Sequence, residues 1–522
     1  MGRIEYRIKA HDKYQFELKL DYELDMNSRS DTYRIETFFF LPASLGVNRL
    51  SYPKDLFYRD LLSYTRYKTP AMSFEQLMDE SNRLSPLVRL SEYLSRYSGA
   101  GAERKGGEEP RVVYELKMLG AIVKSAARDE SDFICRRLKE LPLDGSAGAE
   151  KAADIEHIAG AFLEKTEKFL SRFRALRRGY LSPRVPDSWR EAFDVVDEAM
   201  SVQIERAVFQ VGRAMEEKAS AHRSLEKWRD EIRRHIAREI EHRKGAGYPS
   251  VLEGADEDRK YEAYLYRLGA LKKFCGSALY LSASTDPAPS GLTHILYGTA
   301  AAVAMAFALV VSLVFLKAVP SESIAFFMAA VLAYAFKDRI KDAMKGFFTR
   351  RMAWALPDRK TFLRDRGLGG KVVGVSREAM SFMDRNAVPP DVAACRARPG
   401  GILDEEAEME QVFKYEKDIT AYPLRIKGGH VRVRAINEIL RFCIRHFLYK
   451  MDEPVKAMPD LEGDDLARRL LLAKVYHVNV VFRFSYLDGD RLVSQTEKLR
   501  LILDRNGIRR METGRGETLA VE

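Results

Sequence analysis

The chain is 522 residues long, enough for several cores, and it sets 86 Lys and Arg against 76 Asp and Glu for a net charge of +10. So small an excess among so many charges excludes reading the whole protein as a polybasic nucleic-acid binder. Cys135, Cys275, Cys395 and Cys443 lie far apart and form no CxxC or Cys/His cluster, which argues against a disulfide framework or a zinc site and for a reducing compartment.

The opening stretch, MGRIEYRIKAHDKYQFEL, carries charges throughout, so no signal peptide is expected. From Tyr14 the chain alternates. Tyr14, Phe16, Leu18, Leu20, Tyr22 and Leu24 fall on one side of an extended strand, and mostly charged residues fall on the other. YRIETFFFLP, ending at Pro42, reads as another strand. The pattern then turns helical, with Ser73 to Gln76 placed as a capping box. Residues 1–97 are therefore read as an N-terminal α+β domain, and the Gly-rich, charged stretch 98–110 as a linker.

Residues 111–283 read as helix almost throughout. Ile155, Ile158, Phe162, Phe169, Phe173 and Leu176 recur at steps of three and four, interrupted only by Thr166. Pro183 and Pro186 stop this helix, and Asp187 or Ser188 can cap the next. The next stripe, Trp189, Phe193, Val196, Met200, Ile204, Val208, Val211 and Met215, weakens near Ala219 and resumes with Leu225, Trp228, Ile232, Ile236 and Ile240. Unbroken, some fifty residues would span roughly 75 Å. A long helical hairpin or coiled-coil-like stalk is expected, the alternative being a compact bundle whose helix breaks near Ala219.

Two apolar runs follow. Ile295 to Leu316 holds 22 residues without a formal charge, enough to cross a bilayer core of about 30 Å. Ile324 to Phe336 holds only 13, a length common in buried helices, and reaches 17 if it starts at Pro320. The pair reads as a transmembrane helical hairpin over 292–336, with spans at about 294–316 and 320–336. Small residues recur every four positions, as close helix packing in lipid requires: Gly298, Ala302 and Ala306 in the first run, Ala325, Ala329 and Ala333 in the second. A second row, Ala300, Ala304, Ala308 and Ser312, has the same spacing.

Residues 337–366 carry ten Lys or Arg against four Asp, and Lys272 and Lys273 lie on the other flank. Positive-inside bias then places both flanks in the cytoplasm. Residues 337–366 read as a basic juxtamembrane helix, either lying on the membrane surface, with Lys341, Lys345, Arg350 and Arg351 as candidate contacts for anionic lipid, or continuing the second span straight to pack on the stalk. Beyond it, 367–522 reads as a C-terminal α+β domain. Tyr476, Val478, Val480, Phe482, Phe484 and Tyr486 alternate cleanly along one strand, and Asp-Gly and Asn-Gly pairs mark turns. The strands at the two ends of the chain either share one sheet or form two domains, and the sequence leaves both open.

Motifs that carry chemistry are weak. His235 and His242 lie two helical turns apart, too far to chelate one metal, and are expected as solvated helix residues. Gly367 to Gly374 has glycines and a lysine but lacks the Lys-Ser/Thr ending of a phosphate loop. Lys427 to His430 reads as a tight turn, with an anion-binding nest as the alternative. Asp488 and Asp490 lack the ligand spacing of a calcium loop. No catalytic residue, cofactor or metal is expected.

The fold expected is thus an α+β membrane protein, predominantly helical, with a long helical hairpin or stalk, a two-helix transmembrane hairpin and antiparallel β elements at both ends. The function expected is a non-enzymatic scaffold, tether or assembly component with cytoplasmic domains on a bacterial inner membrane. Its partners would be the lipid bilayer, proteins met through the stalk and other copies of itself, with nucleic acid disfavoured. The rivals are a membrane-anchored enzyme with a site near His430 and His477, and nucleic-acid or anionic-lipid binding through 337–366.

Overall fold

The computed structural model describes residues 4–98, 109–142, 146–220, 222–251, 258–287, 290–318, 324–352, 357–396, 410–459, 469–488, 491–514 and 518–519. The chain divides into two compact units. One comprises 1–65, 281–426 and 435–522, the other 66–280 and 427–434.

The first unit is built on strands β1 (Ile4–Asp12), β2 (Gln15–Glu23), β3 (Asp31–Pro42), β4 (Leu61–Tyr67), β5 (Ser282–Pro287), β6 (Arg359–Asp365), β7 (Lys371–Met383), β8 (Glu410–Ala421), β9 (Ala435–Cys443), β10 (Val455–Pro459), β11 (Arg469–Ala473), β12 (Tyr476–Asp488), β13 (Arg491–Asp504), β14 (Gly507–Thr513) and β15 (Thr518–Leu519). They form a four-stranded sheet in the order β1-β2-β9-β4, a nine-stranded sheet in the order β15-β14-β13-β12-β3-β8-β7-β6-β5, and the ribbon β10-β11. Strands from the two ends of the chain therefore share both large sheets. β3 pairs antiparallel with β8 on one side (Phe39↔Phe413) and with β12 on the other (Phe39↔Val480).

Aromatic rings join the two large sheets. Phe39 of β3 stacks on Phe413 at 4.5 Å and meets Phe442 of β9 at 4.8 Å, while Phe16 of β2 meets Phe482 of β12 edge-on at 6.4 Å. Phe38 and Phe40 point the other way, into Val392, Val412 and Val481. Both faces of β3 are thus covered, which explains why FFF interrupts its alternation: a strand buried on both sides has no polar face. Lys417 of β8 lies in the same layer. It reaches Glu378 of β7 at 3.1 Å and also binds Glu438 of β9, whose carboxylate accepts from Ser63 and Thr65 of β4.

The helices up to Met352 are, in chain order, α1 (Lys54–Asp60), α2 (Phe74–Met78), α3 (Pro86–Ser98), α4 (Glu109–Lys139), α5 (Ser146–Ala175), α6 (Arg177–Tyr180), α7 (Asp187–Ala219), α8 (Trp228–Gly245), α9 (Asp258–Gly276), α10 (Ser290–Ala318) and α11 (Ile324–Met352), and short helices follow at Pro390–Arg396, Pro423–Lys427 and Arg445–Leu448. Helices α2 to α9 make up the second unit. Ser73 closes the capping box at the start of α2, donating and accepting with Gln76. The stripe from Trp189 to Ile240 is not one helix. It stops at Ala219, passes a short 3-10 turn at Arg223–Lys227, and returns as α8 along α7. Gly212 meets Ile232 and Ser201 meets Arg243, the register of an antiparallel pair. The seam is continued by a partner on the same chain, so the long stalk is replaced by a bundle hairpin, with α7 about 50 Å long.

A second correction concerns the two-helix transmembrane hairpin. Among the described residues only one helix, α10, has a stretch long and apolar enough to cross a membrane, Tyr297–Val314. α11 is as long as α10, but Lys337, Asp338 and Arg339 follow its first 13 residues, so a crossing-length apolar window cannot be found in it. Pro320, the expected start of the second span, lies outside the described residues.

Candidate functional site

The most unusual feature of the first unit is the pair α10 and α11. It is inserted between the edge strand β5 and its neighbour β6, which run antiparallel from Ser282↔Arg364 to Pro287↔Arg359, so the chain leaves and returns at one place. Each helix holds 29 residues and is about 44 Å long. The helices pack on each other, and the amine of Lys345 lies 5.4 Å from the centre of the Tyr297 ring. That contact sets an antiparallel register. The end of α10 at Ala318 then falls beside the start of α11 at Ile324, and Lys337 falls beside Met305.

Alanine decides which faces meet. Ala300, Ala304 and Ala333 are buried, whereas Gly298, Ala302 and Ala306 are exposed, and a Cβ built on Gly298 would meet nothing within 4 Å. At about 100° per residue the two rows of α10 lie about 200° apart, so only one can face α11. The side chains of Ala325 and Ala329 lie outside the described residues.

Away from this narrow seam the pair exposes large apolar side chains. Val310, Leu313 and Val314 are each 59% exposed, Phe327 66% and Ile324 82%, with Phe307, Leu309, Met328, Val331, Leu332 and Phe336 also exposed. The band that is apolar on both helices runs from Ala306 to Leu316 on α10 and over the facing residues 326–336 of α11, about 16 Å, and the exposed Lys317 lies at its end. Below it α11 becomes charged. Lys337 covers the Tyr334 ring at 3.8 Å, and Lys341 and Lys345 make long i,i+3 contacts with Asp338 and Asp342 at 3.7 and 3.9 Å. The side chains of Arg350 and Arg351 lie outside the described residues.

The histidines flagged for chemistry are used in packing. His430 contacts the Tyr114 hydroxyl through Nδ1 at 2.6 Å and sits against the rings of Tyr67 and Tyr114. His477, in the other unit, receives a hydrogen bond from Arg500 Nε at 3.2 Å. The glycines after Asp365 form the β6-β7 turn. Gly369 and Gly370 have positive φ, and the Asp365 carboxylate accepts from the amides of Gly367 and Leu368, filling the nest that a phosphate would need. Asp488 pairs with Arg491 across a hairpin end, and Asp490 lies outside the described residues.

Sequence reasoning missed the buried ion networks of the second unit. His235 is buried and His242 half-buried, so neither is a fully solvated helix residue. His235 is 4% exposed and meets Thr166 Oγ1 at 3.3 Å, while His242 Nε2 contacts Asp197 Oδ2 at 2.8 Å. Arg174 bridges Asp197 and Glu239 at 3.0 and 2.7 Å. Burial pushes the Asp197 carboxyl up, but the His242 contact and the Arg174 charge outweigh it and hold it below the usual range. The only warning was two histidines and a glutamate on one face of a helix rich in arginine. Among the described residues, no group of three or more His, Cys, Asp or Glu is placed to hold a metal ion. An apolar cleft of about 380 Å³ lies between α7 and α8, lined by Phe209, Met215, Leu225, Ile232, Ile236 and Ile240.

The chain matches no family model, no curated protein and no solved structure.

Proposed function

We propose that this protein is a bilayer-attached tether or assembly component that holds its two units at a membrane surface through the α10/α11 arm. The observation that carries this reading is the exposed apolar band shared by both helices. In water it would be a contiguous patch far beyond what a soluble monomer leaves uncovered. Entry and exit lie side by side on β5 and β6, so the arm dips in and returns from one side. Its shared apolar depth of about 16 Å is close to one leaflet of the roughly 30 Å core, and Lys317 stands at its inner end. Depth is set by Lys337, where α11 turns charged. The Tyr334 ring, beside Lys337, suits the headgroup level, where an aromatic body and a cation both find partners. Lys341, Lys345, Arg350 and Arg351 would meet anionic headgroups there.

Flotation tests the reading. Full-length protein should float with phosphatidylcholine/phosphatidylglycerol vesicles and resist release by carbonate. The double variant Leu313→Asp, Phe327→Asp should lose most of that binding, because each carboxylate costs about 2.5–3.5 kcal/mol in hydrocarbon. Full-length protein that stays monodisperse without detergent and remains with the unfloated fraction would sink the proposal.

A further inference from the structure

Helix α4 carries a row of cations on the face that receives α9. Lys117, Lys124 and Arg128 stand seven and four residues apart, so they follow one helical stripe. Gly120 lies between the first two. There α9 comes so close that a Cβ on Gly120 would stand 2.7 Å from Cys275 Sγ. That approach brings Lys272, one turn before Cys275, onto the same stripe. Arg66, at the end of β4, adds a further cation. It bridges to Tyr280 just beyond α9 and, with Lys272 and Arg128, acts electrostatically on Lys124.

Among the described residues the lysines of the row lack matching anions. Lys124 is half-buried, and among the described residues it has neither a hydrogen-bond acceptor nor a carboxylate within ion-pair range; the same holds for Lys272. Lys117 rests its amine 4.6 Å above the Phe274 ring, and Arg128 pairs with the Asp129 carboxylate at 2.8 Å. Other buried and half-buried cations of this unit have such pairs: Arg174 with Asp197 and Glu239, Arg243 with Glu205, Arg267 with Glu198. A solvated surface would let lysines spread apart. Here burial first, and then the charges of Lys272, Arg128 and Arg66, push the Lys124 amine down to about 8, while burial pushes the Cys275 thiol up to about 12 despite both lysines.

We propose that Lys117, Lys124 and Lys272 on the α4/α9 face form a binding site for a phosphate-bearing anion. The anion supplies the charge the cluster lacks, with Lys124 at the centre and Lys117 and Lys272 on either side. Compact point charges on flexible stems suit a tetrahedral phosphate, which needs several donors and no fixed plane. The same chemistry is offered by a soluble phosphate compound and by a lipid headgroup.

The test is calorimetric titration of the full-length protein with inorganic pyrophosphate, with Lys124→Gln, Lys272→Gln and Lys124→Arg in parallel. Pyrophosphate should bind in a salt-sensitive way. Each Gln variant should weaken it about tenfold, and Lys124→Arg should retain it, since one charged hydrogen bond is worth about that factor. In ¹³C-dimethyl-lysine spectra the Lys124 signal should titrate near 8 and move upward when pyrophosphate is added. Vesicles identify the source. If Lys124→Gln weakens binding to phosphatidylglycerol vesicles but leaves pyrophosphate titration unchanged, the site takes a headgroup; the reverse pattern means a soluble ligand. The arm substitutions Leu313→Asp and Phe327→Asp should leave pyrophosphate binding untouched, which separates this site from membrane insertion. Equal binding by wild type and both Gln variants in every assay, with Lys124 titrating as an ordinary lysine, overturns the proposal.

Discussion

At the scale of single residues the buried histidine of α8 makes the clearest pH argument. Burial is the largest influence on His235 and depresses its pKa below the usual 6.5, with the nearby Glu239 charge opposing only in part. The folded state therefore binds this proton more weakly than the unfolded chain does. The stability that the neutral ring contributes is fully present above about pH 6.5 and is lost as pH falls below it. Chemical denaturation should show stability falling between pH 7 and pH 5.5, and His235→Gln should flatten that slope. An unchanged slope would place the titrating group elsewhere. Lys417 makes the opposite case. Burial alone would discharge it, but Glu438 and Glu378 more than compensate and raise its pKa, so it stays cationic and serves the core instead of acting as a neutral nucleophile. Lys417→Met leaves two buried carboxylates without their cation and should destabilise the first unit by about 3–5 kcal/mol in urea unfolding. None of these partners was legible in the sequence. Glu378 and Glu438 lie 39 and 21 residues from Lys417, and only the sheet order brings them together.

Elements were more legible than their ends. Alternation along β2 and β12 and the three-four stripes of α5 and α7 follow from local periodicity, which the sequence carries directly. What a stripe does not say is whether its partner is another molecule or the same helix returning. α7 and α8 show the second outcome, and the contact that closes them is a glycine. In an open helix, Gly→Ala stabilises by about 0.5–1 kcal/mol. At Gly212 the added methyl would stand 2.9 Å from Ile232, a stiff branched side chain, so an overpacking term of about 1–3 kcal/mol outweighs the propensity gain. Gly269 of α9 has nothing within 4 Å. Gly212→Ala should therefore lower the thermal midpoint while Gly269→Ala raises it. Shifts of the same sign in both variants would show that propensity, not packing, governs α7. The alanine rows of α10 teach the same point. Both rows have the spacing for close packing, and only the structure selects Ala300 and Ala304 over Gly298, Ala302 and Ala306.

At the scale of the whole molecule, sequence order and spatial order part company. β3 sits between β8 and β12, and β2 beside β9, pairings that join residues roughly four hundred positions apart. Nothing local specifies them; they arise because strands covered on both faces must lie inside a sheet, and the strands able to flank them lie at the far end of the chain. The α10/α11 arm is an insertion into the nine-stranded sheet that leaves the flanking strands paired, since Pro287 and Arg359 face each other across β5 and β6. A tight hairpin of two to five residues can join such ends. Replacing residues 288–358 by Asn-Gly flanked by one or two serines should keep both units folded, with β5 still paired to β6. If the arm exists to enter a bilayer, the shortened protein should be monodisperse without detergent, keep its pyrophosphate affinity and no longer float with vesicles. If it instead aggregates, with its circular dichroism collapsed, the arm is part of the fold. If it remains folded and still floats, the membrane contact lies on another surface, and the exposed band on α10 and α11 must be covered by protein.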